Sequence, residues 1–224
     1  AYLPDAGLYQ ERLLKLAKQR VADGGVPLKM RLVKGANLQM ETIISSIKGW
    51  KNPVLPSKVD VDANYLHILD VALQPENAKA MHVGVASHNF FSIGYAYLLS
   101  NENNVTDCVT FEMLEGMANH LPRVMRKFER QIILYTPVVR KEHFLNAVSY
   151  LVRRLDENTG EDNFLRYSFN LKLDSTEWDF LANQFIEAYQ KKDSVVLQSI
   201  RKQDRNKPPV SVTDINVFKN EPDT

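Results

Sequence analysis

Apolar residues recur along this chain at spacings that predict alternating helices and strands. Between residues 5 and 23 they leave a polar helix face of Gln10, Arg12, Lys15 and Lys18, and Gly24 and Gly25 follow as a stop. The predicted helices cover 5–23, 39–47, 62–73, 90–98, 120–128 and 142–156. The predicted strands cover 29–34, 80–86, 109–114 and 131–136. One helix is therefore followed by strand and helix in alternation, which is typical of a parallel sheet with helical crossovers.

Four predicted strands are too few to close a barrel, since a (β/α)₈ barrel needs about 250 residues. Residues 1–4 also look like the end of a strand already under way. The sequence therefore predicts an α/β fold that is the C-terminal half of a distorted (β/α)₈ barrel, over residues 1–170. A small open α/β sheet is the alternative.

The pattern changes after residue 164. Trp178, Leu181, Phe185 and Tyr189 predict an amphipathic helix that continues through residues 195–200, within a helical segment over 171–205. Residues 206–224 contain a Pro-Pro pair at 208–209, are otherwise mostly polar, and are predicted to be a linker.

Composition excludes several classes of partner and site. The net charge is +1, so nucleic acid and acidic membrane surfaces are not expected as partners. The single cysteine, Cys108, excludes an intrachain disulfide and a Cys-rich zinc site. The five histidines lack metal-ligand spacing, and no metal is expected. No apolar run approaches the ~18 residues of a spanning helix, and no signal peptide opens the chain, so a soluble intracellular protein is expected.

The sequence contains no GxGxxG dinucleotide-binding motif, no GxxxxGK phosphate-binding loop, no GxSxG hydrolase motif and no HExxH zinc-protease motif. The remaining candidate functional residues are polar residues at the ends of the predicted strands. Side chains alternate along a strand, so each strand should present one set of residues on a common face. These sets are Arg31, Val33 and Gly35; His82, Gly84, Ala86 and His88; Thr110, Glu112 and Leu114; and Gln131, Ile133 and Tyr135. Barrel enzymes place their active sites at the carboxyl ends of the strands. The alternative is that each polar residue merely reaches solvent.

Two adjacent arginines, Arg153 and Arg154, lie in the last predicted helix of the alternating pattern. Guanidinium groups match carboxylate geometry and stay charged at any working pH, so the pair could hold a small anion. Arg153 could equally pair with Glu157 at i+4 on a solvated surface helix.

Six segments resemble one family in their order and spacing. They are RLVKGA at 31–36, ASHN at 86–89, FEMLEGM at 111–117, YTPV at 135–138, YLVRR at 150–154 and EN at 157–158. They resemble proline dehydrogenases over residues 1 to about 170, and most closely the proline dehydrogenase domain of the bifunctional proline utilization A flavoenzymes. RLVKGA followed by YLVRRL is the most specific pair. Residues 218–224 look like the junction to an aldehyde dehydrogenase half.

The resemblance implies a distorted (β/α)₈ barrel that holds FAD, with its last helix over the top. It implies oxidation of L-proline to 1-pyrroline-5-carboxylate by hydride transfer to flavin N5, in proline catabolism to glutamate. A membrane quinone would accept the electrons, and the protein would be cytoplasmic and peripheral to the inner membrane.

The same resemblance assigns roles to individual residues. Arg31 would be catalytic beside flavin N5, Arg153 and Arg154 would clamp the proline carboxylate, and Leu114 and Tyr135 would line the proline ring. The cofactor would be bound by Arg31, Val33, Lys34, Gly35, Ala36, Ser57, Lys58, Ser87, His88, Asn89 and Glu157. Within that set, residues 87–89 would hold the phosphate and adenosine part.

The chain departs from the family in two respects. Asn37 and Leu38 stand where most members have Tyr-Trp. A lysine, an aspartate and a glutamine of the family's active site belong to sequence before Ala1, so the chain alone should be inactive. We expect it to associate with its missing N-terminal barrel half or with a second copy, because a half barrel exposes strand edges and apolar surface.

Two other functions stay open on the sequence. Lys34 could be the nucleophile of a Schiff-base lyase, although it has the opposite strand parity from Arg31. The chain could also be a non-catalytic scaffold or binding module.

Overall fold

The computed structural model describes residues 1–35, 37–158, 160–161, 163–169 and 171–200, with 156–158 described as backbone only. Its helices are α1 (Ala6–Ala22), α2 (Leu38–Ile47), α3 (Lys58–Ala72), α4 (Pro75–Ala78), α5 (Phe90–Glu102), α6 (His120–Lys127), α7 (Phe144–Asn158), α8 (Phe164–Ser168) and α9 (Thr176–Lys191). Its strands are β1 (Leu28–Val33), β2 (Met81–Ala86), β3 (Val109–Leu114) and β4 (Ile132–Tyr135). Each predicted strand is present, with ends shifted by at most one residue.

The strands form one parallel sheet in the order β1-β2-β3-β4. Arg31 pairs with Gly84, Gly84 with Thr110, and Leu114 with Tyr135. The prediction of an α/β fold with a parallel sheet is confirmed. In the described part of the chain the sheet is open, with β1 and β4 at its edges.

The sheet has one face covered by helices and one open face. The covered face buries alternate residues of the strands, including Leu32, Val83, Val85, Phe111 and Met113, against the core side of α3, α5 and α9. The open face carries the residues of opposite parity, among them Lys29, Arg31, Glu112 and Tyr135. Strand alternation therefore separates the apolar core from the polar residues that the sequence singled out.

Helix α9 packs against α3 and α5, and its aromatic residues join those of α5. Phe185 stacks on Phe91 at a centroid distance of 5.8 Å, and Tyr189 meets Tyr95 edge-on at 5.7 Å. The prediction that this helix continues through residues 195–200 is wrong: α9 ends at Lys191, a 3₁₀ turn covers Lys192–Ser194, and Val195 is extended.

Tertiary contacts explain this early end. Lys192 Nζ binds the Asp70 carboxylate of α3 at 2.5 Å, which anchors the end of the helix. Leu197 packs so closely on Gly7 of α1 that a Cβ there would lie 2.7 Å from it. The predicted linker at 206–224 lies outside the described residues.

Candidate active site

A buried carboxylate organises the open face of the sheet. Glu112 of β3 is only 1% exposed, and it lies against side chains from β1 and β4. Arg31 Nε donates to Glu112 Oε2 at 2.7 Å, and Lys29 Nζ lies 3.0 Å from Oε1. The Tyr135 ring lies 4.6 Å from the Arg31 guanidinium carbon, and the Tyr135 phenol interacts with the same carboxylate. Residues from β1, β3 and β4 thus form one cluster.

The cluster forms because a glycine lies between its members. Strands β1 and β3 are separated by β2, a span of roughly 9–10 Å at the usual strand spacing. Gly84 of β2 leaves this space open, and a Cβ there would lie 2.1 Å from Glu112 Oε1. Side chains of Arg31 and Glu112 can therefore meet directly above β2.

Glu112 is ionised in this setting. Burial alone would raise the pKa of the Glu112 carboxyl, but hydrogen bonds from Lys29, Tyr135 and Arg31 outweigh it, and the pKa lies below its ordinary value. The hydrogen bond to Glu112 in turn raises the pKa of the Tyr135 phenol. Two cations and one carboxylate leave the cluster with a net positive charge.

A second set of candidate residues lies between β2 and α5. The Asn89 side chain caps α5 by accepting from the N–H groups of Phe91 and Ser92, and Ser87 Oγ accepts from the Asn89 N–H. His88 Nε2 accepts from the Leu114 N–H at 3.0 Å, which requires an unprotonated Nε2. The neutral imidazole then carries its proton on Nδ1, where it can be donated to an acceptor.

Helix α7 carries the arginine pair, and Arg154 acts electrostatically on His88. Burial lowers the pKa of His88, with a smaller contribution from the positive charge of Arg154 in α7. Its guanidinium carbon lies 5.2 Å from the Tyr150 ring. Arg153 is exposed, and Arg154 is half-buried. The Glu157 side chain and Ala36 lie outside the described residues.

Three of the predicted cofactor residues belong to a different cluster, between the end of β1 and α3. Lys34 Nζ lies 2.8 Å from Asp62 Oδ1 and 5.4 Å from the Tyr65 ring centroid, and Lys58 pairs with the other oxygen of Asp62. Ser57 caps α3, accepting from the Asp60 N–H at 3.1 Å. This second cluster does not share a partner with Arg31 among the described contacts.

The second cluster contains buried charge. Burial lowers the pKa of Lys34 to about 8, although Asp62 opposes the shift. The two lysines overcome the effect of burial on Asp62 and hold the pKa of its carboxyl below the ordinary value. The Lys34 side chain is only 19% exposed, and its amine is paired with the Asp62 carboxylate. Both observations argue against Lys34 as a Schiff-base nucleophile.

Gly35 adopts a φ of 117°, in the region that favours glycine. A Cβ at Gly35 would lie 1.9 Å from the Tyr2 ring, so the close approach seen at this glycine is that of Tyr2.

Sequence reasoning missed two residues that organise these clusters. On the sequence, Glu112 is one of the strand-face residues without an assigned role, and Asp62 is only the first residue of a predicted helix. A signal for Glu112 is present in the sequence: strand alternation places Glu112 and Arg31 on the same face of the sheet, and the strand predicted between them contains Gly84. The described residues include no group of acidic, histidine or cysteine side chains able to hold a metal ion. Among the described helices, none is both long and apolar enough to cross a bilayer.

Known proteins resemble this chain along most of its length. The proline dehydrogenase family model matches residues 1–167. The structure of Proline Utilization A from Corynebacterium freiburgense is 39% identical with a TM-score of 0.78, over 96% of this chain and 20% of that one. The Bdellovibrio bacteriovorus protein inactivated by N-propargylglycine is 29% identical with a TM-score of 0.72, over 99% and 20%.

Curated relatives match a shorter part of the chain. Mitochondrial proline dehydrogenase 1 from Arabidopsis thaliana is 29% identical over 164 residues, which are 71% of this chain and 32% of the relative. Human hydroxyproline dehydrogenase is 26% identical over 138 residues, 60% of this chain and 29% of the relative. The chain thus spans about a third of these curated relatives and a fifth of the solved chains. Because the family model matches residues 1–167 of its 224 residues, this chain belongs to the proline dehydrogenase family.

Proposed function

We propose that this chain is the C-terminal half of the barrel of an FAD-dependent proline dehydrogenase, which oxidises L-proline to 1-pyrroline-5-carboxylate. The observation that carries the proposal is the convergence of Arg31, Glu112 and Tyr135 on the open face of the parallel sheet, towards its carboxyl end. The open sheet with two edge strands supports a barrel completed by sequence outside the chain.

The polar groups of the open face fit a flavin dinucleotide. His88 Nδ1–H and the Ser87 hydroxyl supply donors for phosphate and ribose oxygens, at the start of α5. Val33, 37% exposed beside Arg31, supplies apolar surface for a ring. When bound, FAD would accept the hydride that leaves L-proline. Gly35, Ala36, Asn89 and Glu157 would complete the binding set, and Ser57, Lys58 and Lys34 would border it from the second cluster.

The substrate is held, in this proposal, by charge at one end and by packing along its ring. Arg153 and Arg154 bind the carboxylate with charge-assisted hydrogen bonds, which orients the ring carbon that loses the hydride. Leu114 and Tyr135 line the ring. Arg31 places a positive charge where reduction adds negative charge to the flavin, and stabilises the reduced form.

The wider setting is also part of the proposal. The complete protein would be bifunctional, with an aldehyde dehydrogenase half after residue 224, and would deliver electrons to a membrane quinone from a cytoplasmic, peripheral position. The alternative of a non-catalytic scaffold makes the opposite prediction for bound flavin.

The test uses the full-length protein that contains this chain. We expect a bound-flavin visible spectrum that L-proline bleaches under anaerobic conditions. N-propargylglycine should inactivate the protein, as in the Bdellovibrio relative, and L-proline should slow this inactivation. Hydroxyproline is compared alongside, because some relatives are named for it. A protein without flavin, or with flavin that neither imino acid reduces, would refute the proposal.

A further inference from the structure

The open face depends on one buried carboxylate that no predicted role accounts for. Glu112 is the shared acceptor of Lys29, Arg31 and Tyr135, and its position requires the missing side chain of Gly84. Arg31 and Tyr135 are the residues proposed to act on the flavin and on the proline ring. Both are about half-exposed, at 47% and 38%, so neither is fixed by packing alone.

We propose that Glu112 is the positioning residue of this site: it sets the orientation of Arg31 and Tyr135 relative to each other, and its charge sets the electrostatic potential beside the flavin. The kinetic part of this inference rests on the proposed function.

The orientation follows from where Glu112 binds each partner. It accepts from Arg31 at Nε, which fixes the plane of the guanidinium group and leaves Nη1 and Nη2 outside this contact. It also interacts with the Tyr135 phenol, whose ring centroid lies 4.6 Å from that guanidinium carbon. Without the carboxylate, only a cation–π contact between two partly solvated side chains would join Arg31 to Tyr135, and such contacts are weak at exposed sites.

The electrostatic role follows from the count of charges. Glu112 opposes Arg31 and Lys29, and water is largely excluded from its carboxylate. Removing that single negative charge would leave two cations uncompensated at the site, which would favour the reduced, anionic flavin. The carboxylate therefore keeps the flavin potential lower than the two cations alone would set it.

The experiment compares Glu112→Gln, Glu112→Ala and Gly84→Ala in the full-length holoprotein, with Glu102→Gln as control. Glu102 lies exposed at the far end of α5 and undergoes the same change of charge. We expect Glu112→Gln to raise the flavin reduction potential while the KM for proline changes less than threefold. Glu112→Ala should raise both the potential and the KM, the latter roughly tenfold, because orientation is lost as well. Gly84→Ala should raise the KM by displacing the carboxylate, and Glu102→Gln should change neither quantity.

A readout that needs neither flavin nor proline separates this inference from the proposed function. Tyrosinate absorbance, taken as the difference from the same variant carrying Tyr135→Phe, reports the titration of Tyr135. It should show a lower pKa for Tyr135 in Glu112→Gln and in Glu112→Ala than in the wild type. The Glu112 variants could bind less flavin or melt at a lower temperature and still keep the wild-type flavin potential, KM and Tyr135 pKa. In that case Glu112 is only structural and the inference is overturned. If the wild type does not oxidise proline, the Tyr135 titration alone decides the positioning role.

Discussion

Replacing Asp62 by asparagine should destabilise the junction of β1 and α3 in a pH-dependent way. Asp62 is the carboxylate shared by Lys34 and Lys58, and it lies in a largely buried cluster. The substitution keeps the size of the side chain and removes the charge that compensates two lysines. Removing one partner of a buried ion pair is strongly destabilising, typically by about 3–5 kcal/mol.

The structure limits the expected magnitude. The pKa of Lys34 falls from 10.5 to about 8 on folding. In the variant, Lys34 can become neutral and so avoid an uncompensated charge. With a pKa of about 8, neutralising Lys34 at pH 7 costs about 1.4 kcal/mol, so losing its charge interaction with Asp62 should cost little more than this. The lost hydrogen bonds add about 1–2 kcal/mol. Lys58 is 30% exposed and can turn to water. The total is about 2–4 kcal/mol at pH 7.

The sign of the pH dependence follows from the same shift. Because the pKa of Lys34 is lower in the folded state, the unfolded chain holds this proton more tightly between about pH 8 and 10.5, and wild-type stability should rise with pH in that window. At pH 9 Lys34 is mostly neutral in the wild type and in the variant. The cost of Asp62→Asn should therefore be smaller at pH 9 than at pH 7.

Hydrogen exchange of the β1 and α3 amides in the full-length protein measures this cost, with a tenfold loss of protection for each 1.4 kcal/mol. Adding Lys34→Met to Asp62→Asn should restore most of the protection, because it removes the uncompensated buried charge. Glu187→Gln is the control, since it breaks the exposed pair with Lys191, which spans 3.1 Å, and should cost less than about 1 kcal/mol. Equal effects of Asp62→Asn and Glu187→Gln, or an equal cost at both pH values, would refute the reasoning.

The remaining predictions concern the open face and the isolated chain. Replacing Arg153 or Arg154 with alanine should raise the KM for proline roughly tenfold to a hundredfold at unchanged flavin content, whereas Arg31→Ala should lower kcat; steady-state kinetics with flavin quantitation distinguishes the two outcomes. If the Arg153 and Arg154 variants kept the wild-type KM for proline, the two arginines would not bind the carboxylate and would simply belong to a solvated surface helix. Gly84→Ala should lower the unfolding free energy by about 1–3 kcal/mol, because its Cβ would lie 2.1 Å from Glu112 Oε1; a thermal melt equal to wild type would contradict this. The isolated 224-residue chain should associate and bind FAD weakly; a sharp monomer peak in size exclusion with cooperative melting, or tight FAD binding in a titration, would count against it.

Local sequence signals determined the order of elements and the division of each strand into two faces. Strand alternation and helical periodicity depend on residues a few positions apart, so the four strands and the parity of Arg31, Glu112 and Tyr135 could be read directly from the chain. Two motifs at 31–36 and 150–154 were also enough to indicate the family. Ser57 and Asn89 carry local capping signals, because each cap binds an amide within three residues.

Only the tertiary structure decided which polar residues meet. Arg31 and Glu112 are 81 residues apart, and their contact depends on the strand order and on Gly84 lying between them. Lys34, predicted beside the cofactor, is bound to Asp62 because α3 packs against the end of β1. The apolar spacing predicts a helix beyond residue 191, but α9 ends at Lys191. It ends there because Lys192 binds Asp70 and the residues after it pack against α1. Such contacts join distant segments, and no local pattern specifies them; the energetics of charge burial and close packing in the assembled fold select them.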